Sequence, residues 1–296
     1  MDIQIAAHAF YEYSKVIRGY SKATIRRYRQ IINYYCRYAQ VSTFDQITKD
    51  NVRGLFFYGR SQRQWKPNTF IVFHKSLLVF FRWAITQGYL VGNPVEDIEM
   101  PKLEKRIPPN LTKQDALRLI EIAYNYPYDY SYLRCRNHAI FSMFVHAGLR
   151  KAELLNLRLA DVDLENLTIF VNQGKGSKDR IIPMSPILAY SLKRYLNERK
   201  RLKKTCPEFF ASLNRNLGFT DTGLKRLIVQ MRSASRLNFT VHKLRHTFAT
   251  LMLEGGCDIY SLSKMMGHCD IKTTTIYLSA SVEHLRNQIT KHPLNH

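Results

Sequence analysis

The sequence predicts a mainly helical protein in two parts: an N-terminal helical bundle, then a mostly α domain with one small β-hairpin. Three observations carry that expectation. Apolar residues recur at three- and four-residue steps between recognisable helix starts and stops. One proline-rich stretch, GNPVEDIEMPKLEKRIPPNLT, breaks that periodicity about a third of the way along. Only residues 167–184 read as a pair of short strands around a polar turn.

The first hundred residues read as short helices. Ser21 is placed to cap SKATIRRYRQIINYYCRYA, in which Ile25, Tyr28, Ile32 and Tyr35 share one face. Lys22, Arg26, Arg27 and Arg29 fall mostly on the other face. A long helix is expected from around Pro67, a good first-turn residue, to Gly88, a good stop. Together they predict a bundle over residues 1–100 whose basic face lies on a phosphate backbone; a simply solvated charged face would read the same way. Residues 101–110 are expected to be a linker, and residues 111–296 a second domain.

In the second domain, Thr112 is the expected cap of one helix, and another runs from about Tyr132 to Gly148. Leu167–Val171 and Asp179–Met184 are the two strands, joined by NQGKGSK. Helices follow over Pro186–Lys204, around Gly223–Ala234, and over Val241–Glu254, Ile259–Met266 and Ile271–Leu278, the last with Asp270 as its cap. YNYPYDYSY, residues 124–132, alternates like a strand, but Pro127 and its polar neighbours favour a loop.

The charge narrows the class of partner. Forty-five Lys and Arg against 23 Asp and Glu leave a net +22. The excess is spread, with 14 basic and 7 acidic residues in the first hundred and 31 and 16 beyond. A folded body so charged fits a wide polyanion such as duplex DNA or structured RNA. Five scattered cysteines without a C-x-x-C pair argue against a disulfide framework and a zinc ribbon, and point to a reducing cytosol. The absence of an apolar run of about eighteen residues predicts no membrane span, and the polar start MDIQIAAHAF predicts no export signal.

Candidate chemistry sits in three cationic stretches and one phenol. HAGLRKAELLNL holds Arg150, with Glu153 three residues on; QGKGSKDR holds Lys175; VHKLRHTF holds His242 and Arg245 on one helical face. His268 stands nine residues before Tyr277, and nine residues of one helix turn through about 900°, which would put the two on opposite faces. A fresh helix after Asp270 would let both point to one place. The set is suited to an in-line attack on a phosphodiester. Arginine forks meet the charge that builds on the non-bridging oxygens, and cations favour the phenolate of a tyrosine whose ordinary pKa is near 10. A lysine on a turn can supply the leaving oxygen with a proton. No metal or other cofactor is needed for this charge balance. The i,i+4 histidines of HKLRH have the spacing of a zinc helix, but Lys243 stands where HExxH needs Glu. QGKGSK is no P-loop either, since Gly176 follows Lys175 where Ser or Thr is required. Taken singly, each stretch is also an ordinary helix-face ion pair or exposed turn.

In order and spacing, Arg150 in AGLRKAELLNL, Lys175 in GKGSKDRIIP, His242 and Arg245 in HKLRHTFAT, His268 in MMGH and Tyr277 in TTTIY resemble the active-site signature of the tyrosine recombinases, the phage-integrase family. The likeness covers most of residues 110–280, with Cys269 departing from the small hydroxyl residue often found after the Gly-His. SKATIRRYRQII resembles, more loosely, the family's SAM-like core-binding module, and the tail SVEHLRNQITKHP is most similar to the Xer branch. The resemblance implies that Tyr277 attacks the scissile phosphate and forms a 3′-phosphotyrosyl enzyme. Arg150 and Arg245 would clamp the phosphoryl oxygens, His242 and His268 would handle protons, Lys175 would protonate the leaving oxygen, and Glu153 would orient Arg150 or His242. It further implies double-stranded DNA with inverted-repeat sites as partner, and a homo-tetramer, or a hetero-tetramer with a paralogue, exchanging strands through a Holliday junction in the cytoplasm. The tail after Ser279, with Val282, Leu285 and Ile289 at helical spacing, would dock on a neighbouring protomer or fray. A type IB topoisomerase and a non-catalytic DNA-binding factor on the same scaffold are the rival readings.

Overall fold

The computed structural model describes residues 1–103, 109–172, 179–268 and 270–277. Contacts divide the chain into two compact units, Met1–Lys105 and Arg106–His296.

The first unit holds α1 (Ile3–Val16), α2 (Lys22–Ala39), α3 (Lys49–Ser61) and α4 (Pro67–Thr86). Each start has a local cause. The Asp2 carboxylate accepts from the N–H groups of Gln4 and Ile5 at 2.7 and 2.9 Å. Ser21 Oγ accepts from Thr24 N–H at 3.2 Å. Thr48 and Asn51 cap each other reciprocally, and Pro67 occupies the first turn of α4. Gly88, just past α4, has φ +75, the left-handed conformation that ends helices. α1 and α3 go beyond the two helices expected by name in this region, and their signals are the caps at Asp2 and Thr48.

An aromatic core joins the four helices. Phe10 meets Phe80 edge-on at 5.2 Å and Trp83 at 5.5 Å, and Tyr35 meets Phe81 at 5.8 Å. Each such ring contributes roughly 1.5–3 kcal/mol through burial. α4 is by length and composition long enough and apolar enough to cross a membrane, where the sequence reading found no such span; 44% of that window is buried inside the protein. Its apolar residues include the core side chains Phe70, Leu77, Phe80, Phe81 and Trp83. Lys22, Arg26, Arg27 and Arg29 are exposed on the outer face of α2, with Arg29 over the Tyr11 ring at 5.2 Å.

The second unit comprises α5 (Lys113–Asn125), α6 (Ser131–His146), α7 (Lys151–Asn156), β1 (Val162–Asp163), β2 (Thr168–Val171), β3 (Arg180–Pro183), α8 (Pro186–Arg201), α9 (Asp221–Ser235), α10 (Val241–Glu254), α11 (Ile259–Met266) and α12 (Lys272–Thr275). α6 is the central helix, burying Tyr132, Ile140, Phe141, Met143 and Phe144 among α5, α8 and α10. The strands form an antiparallel sheet in the order β1-β2-β3, pairing Phe170 with Ile181 and Ile169 with Ile182. Two buried arginines fasten the irregular stretch before α9 to the helices. Arg136 donates to Ala211 O at 3.2 Å, and Arg199 donates to Lys204 O at 2.7 Å and Glu208 O at 3.1 Å.

Three local expectations change. β1 adds a third, two-residue strand to the expected hairpin. The last described helix is a single turn, and Ile271, not Asp270, is its cap, without a side-chain hydrogen bond. Four residues are too few for a helix to propagate alone, so tertiary contacts hold this turn. The tyrosine run is split between α5, a loop over 126–130 and α6, as proline in its middle requires.

Candidate active site

The site begins at a glycine. Gly148 follows α6 with φ +60, and a Cβ there would stand 2.3 Å from Phe248 Cδ1 on α10. Only glycine allows α6 to end this close to α10. Its carbonyl accepts from Arg245 Nη1 at 2.7 Å, so the tight turn also anchors a cation.

Arg150, two residues on, caps α7. Glu153 reaches back to the Arg150 N–H at 2.7 Å and accepts from its guanidinium at 2.6 Å. The same carboxylate accepts two parallel bonds from Arg180, at 3.0 and 2.8 Å, and lies 4.0 Å from Arg245. One carboxylate with an 8% exposed side chain therefore serves three guanidiniums. Burial alone would raise its pKa, but the bonds and charge of Arg180, then those of Arg150, outweigh it and hold the carboxyl at about 2.

The C-terminal end of α11 is the second anchor. Its last carbonyls lack helical partners, and three in succession are taken by different arginines. Arg180 Nε donates to Met265 O at 2.7 Å, Arg245 Nη2 donates to Met266 O, and Arg150 Nη2 donates to Gly267 O at 2.9 Å. Gly267 itself is left-handed at φ +62, the usual glycine end of a helix. The net charge of this knot, three guanidiniums against one carboxylate, is positive. Arg245 is 5% exposed, and burial and then Arg150 lower its pKa to about 10. The Arg150 side chain is 34% exposed, so solvent reaches this side of the knot. The knot is chemically fit to receive an anion.

His268 leaves this helix end directly into the site. Its Nε2 lies 3.3 Å from Arg245 Nη2, and its Nδ1 lies 2.7 Å from Thr274 Oγ1. A guanidinium can only donate, so Nε2 accepts and Nδ1 carries the proton to Thr274. Burial, then Arg245 and Arg150, push its pKa down to about 4, which agrees with a neutral ring. The α12 turn then returns Tyr277 to α10. The Tyr277 ring is 2% exposed in a small cluster with Phe248, Ala249, Leu253, Leu262 and Met266. Its hydroxyl meets His246 Nδ1 at 2.7 Å. Arg245 and Arg150 favour the phenolate, as the sequence suggested, but burial is the larger effect and raises the pKa above its ordinary 10.

Arg150, Glu153, Arg245, His268 and Tyr277 thus come together. His242 is exposed at the start of α10, and it is His246, one turn on, that meets the phenol. Lys175 lies outside the described residues, as do Val282, Leu285 and Ile289 of the tail. Glu153 bonds Arg150 and Arg180, where the sequence reading had Arg150 or His242. Arg180 and His246 were missed as functional residues. Arg180 had a signal, since it shares strand parity with the buried Ile182 and so points inward. The sequence offers His246 only as half of a zinc-spaced pair with His242. Among the described residues, no group of three His, Cys, Asp or Glu side chains is placed to hold a metal ion.

The phage integrase family matches residues 109–284, and the N-terminal SAM-like domain of phage integrases matches residues 8–89. The chain is 31% identical to tyrosine recombinase XerA of Pyrococcus horikoshii over 277 residues, covering 93% of this chain and 89% of that protein. It is 30% identical to tyrosine recombinase XerC of Oceanobacillus iheyensis over 302 residues, covering 98% and 97%. Its fold resembles that of the XerH site-specific recombinase bound to a palindromic difH substrate in a post-cleavage complex, at a TM-score of 0.74 and 19% identity, over 96% of this chain and 84% of that one. With both parts of the chain matched in order, and relatives aligned over nearly its full length, the protein belongs to the phage integrase family, that of the tyrosine recombinases.

Proposed function

We propose that this protein is a site-specific DNA recombinase of the Xer type. It breaks a strand of duplex DNA, holds the 3′-phosphate on Tyr277, and rejoins it to the 5′-hydroxyl of a partner strand. The observation that carries this reading is the burial of the Tyr277 phenol against His246 of α10, under the positive charge of Arg245 and Arg150, with the Arg150 side chain partly exposed to solvent. A protein that only bound DNA would have no use for a buried phenol within reach of such cations.

In this reading Arg150 and Arg245 hold the non-bridging oxygens of the scissile phosphate. Charge develops there in the transition state, and each preorganised donor is worth about 10²–10³ in rate. His268 acts as a neutral donor or acceptor beside Arg245, and Glu153 keeps the arginines in place. His242, exposed at the mouth, contacts the DNA, and Lys175 protonates the leaving 5′ oxygen. The phosphotyrosyl ester conserves the energy of the broken bond, so neither metal nor nucleotide is consumed. The exposed Lys22, Arg26, Arg27 and Arg29 of α2 lie along the phosphate backbone. Four protomers, identical or shared with a paralogue, exchange two duplexes through a Holliday junction in the cytoplasm. Coverage of nearly the whole chain by relatives named XerA and XerC supports this branch and its two-domain length.

The test is a nicked suicide duplex, on which cleavage traps protein in a form that survives SDS. Tyr277→Phe abolishes the adduct, and an equal yield from that variant would overturn the assignment. A binding selection with random duplexes is expected to return an inverted repeat around a short central spacer. Recovery of unrelated sequences would remove site specificity.

A further inference from the structure

His246 is one turn beyond His242 on α10, and its Nδ1 stands 2.7 Å from the Tyr277 hydroxyl. The rings are tilted at 48° with centroids 5.5 Å apart, so they are not stacked face to face, and the close contact between them is the one from Nδ1 to the hydroxyl. The neighbouring histidine cannot take this part, because His268 spends Nε2 on Arg245 and Nδ1 on Thr274. His242 is exposed, and the phenol is not.

Resting on the recombinase reading above, we infer that His246 is a catalytic residue that accepts the phenol proton of Tyr277 as the nucleophile attacks and returns it when the strand is resealed. The proton balance closes. With the imidazole proton on Nε2, Nδ1 takes the phenol proton while Tyr277 Oη bonds to phosphorus. The bond from phosphorus to the 5′ oxygen breaks, and that oxygen takes its proton from Lys175. In the return step the 5′-hydroxyl attacks phosphorus and gives its proton to the Lys175 amine, the bond to Tyr277 Oη breaks, and the imidazolium gives its proton back to the phenolate. The surroundings keep His246 neutral and able to accept. Burial is the main cause, and His242 and Arg245 on α10 add to it, so its pKa lies below the usual 6.5. The other groups facing it are His268 from the turn after α11 and Tyr277 itself. A phenol whose pKa burial has raised has the more need of an acceptor.

The test measures adduct formation on the nicked suicide duplex by the full-length protein with His246→Gln, which can still hydrogen-bond the phenol but cannot take its proton. Adduct formation is expected to slow by about 100-fold at neutral pH. Replacing Tyr277 with a fluorinated, more acidic tyrosine should recover at least a tenth of the lost rate in His246→Gln and change the wild type little. A substrate with sulfur in place of the leaving 5′ oxygen needs no acid on that side, and should rescue Lys175→Ala but not His246→Gln. A His246→Gln rate within threefold of wild type, a defect untouched by the acidic tyrosine, or rescue by the sulfur substrate would each overturn the assignment. Failure of the wild type itself to form an adduct would remove the recombinase reading and this one with it, so the two failures are distinguishable.

Discussion

The two units carry the same sign of charge and treat it in opposite ways. Among the described residues, the first unit buries no lysine or arginine; its core is aromatic, and Lys22, Arg26, Arg27 and Arg29 stand in water outside it. The second unit buries Arg136, Arg180, Arg199 and Arg245, each 5–8% exposed and each bonded to backbone carbonyls. An exposed cation is screened and acts by its charge, nearly independently of its neighbours. A buried one is fixed in direction and shares partners, so its removal leaves other groups unsatisfied. Charge outside suits a long phosphate backbone; charge inside suits one phosphate held for chemistry.

The contrast is broken most forcefully at Arg245. Arg245→Lys gives up the bonds to Gly148 O, Met266 O and His268 that a fork can make and an ammonium cannot. Adduct formation in single-turnover assays is expected to fall by about 10³, with binding to intact duplex changed far less. A loss of less than tenfold would mean that the buried cation is structural only.

Glycine substitutions compare the units next. Gly148→Ala meets both a left-handed φ and the Phe248 ring at 2.3 Å, and should lower stability by about 3 kcal/mol. Gly88→Ala, with φ +75 and nothing within 4 Å, meets only the strain, about 1 kcal/mol. Urea midpoints would separate the two, and equal losses would deny the close approach of α6 to α10.

Acid titration sharpens the contrast further. Glu153 is held at about 2 against an ordinary 4.5, so the stability it gives is complete above about 4.5 and is lost as pH falls towards 2. The window is worth at most about 3 kcal/mol. His268, lowered from 6.5 to about 4, works against folding over a higher window: the unfolded chain takes up that proton first, and stability falls as pH drops from 6.5 towards 4. Glu153→Gln should flatten urea-midpoint curves below pH 4.5 and leave the higher window unchanged.

The smallest effects belong to the exposed face. Single alanine changes at Lys22, Arg26, Arg27 or Arg29 should weaken DNA binding alike for all sequences, and lower the slope of log affinity against log salt by about 1 each. Melting should stay within about 0.5 kcal/mol of wild type.

The sequence made the helices legible where local chemistry decides them. Ser21, Pro67, Gly88 and Thr112 mark ends that the structure keeps. The convergence of Arg150, Arg245, His268 and Tyr277 was legible through a shared pattern, and through the expected break between His268 and Tyr277. That break exists, but one turn of helix held by its surroundings replaces the capped helix that Asp270 suggested. Arg180 was hidden because its role is a long-range one, joining Glu153, 27 residues away, to Met265, 85 residues away. His246 was hidden because helical spacing groups His242 with Arg245 and says nothing about which side chain an incoming segment will touch. The rise in the pKa of Tyr277 was out of reach for the same reason, since burial is a property of the folded chain.

The three carbonyls that close α11 hold more than their own helix. Cations from β3, from α10 and from the start of α7 are all moored to one helix end. A displacement of that end by an ångström or two would unseat them together, since no one of these moorings can be kept while the next carbonyl moves. The positions of the three guanidiniums are therefore tied to one another through a single helix terminus. Whatever shifts this one helix end shifts Arg180, Arg245 and Arg150 as a group.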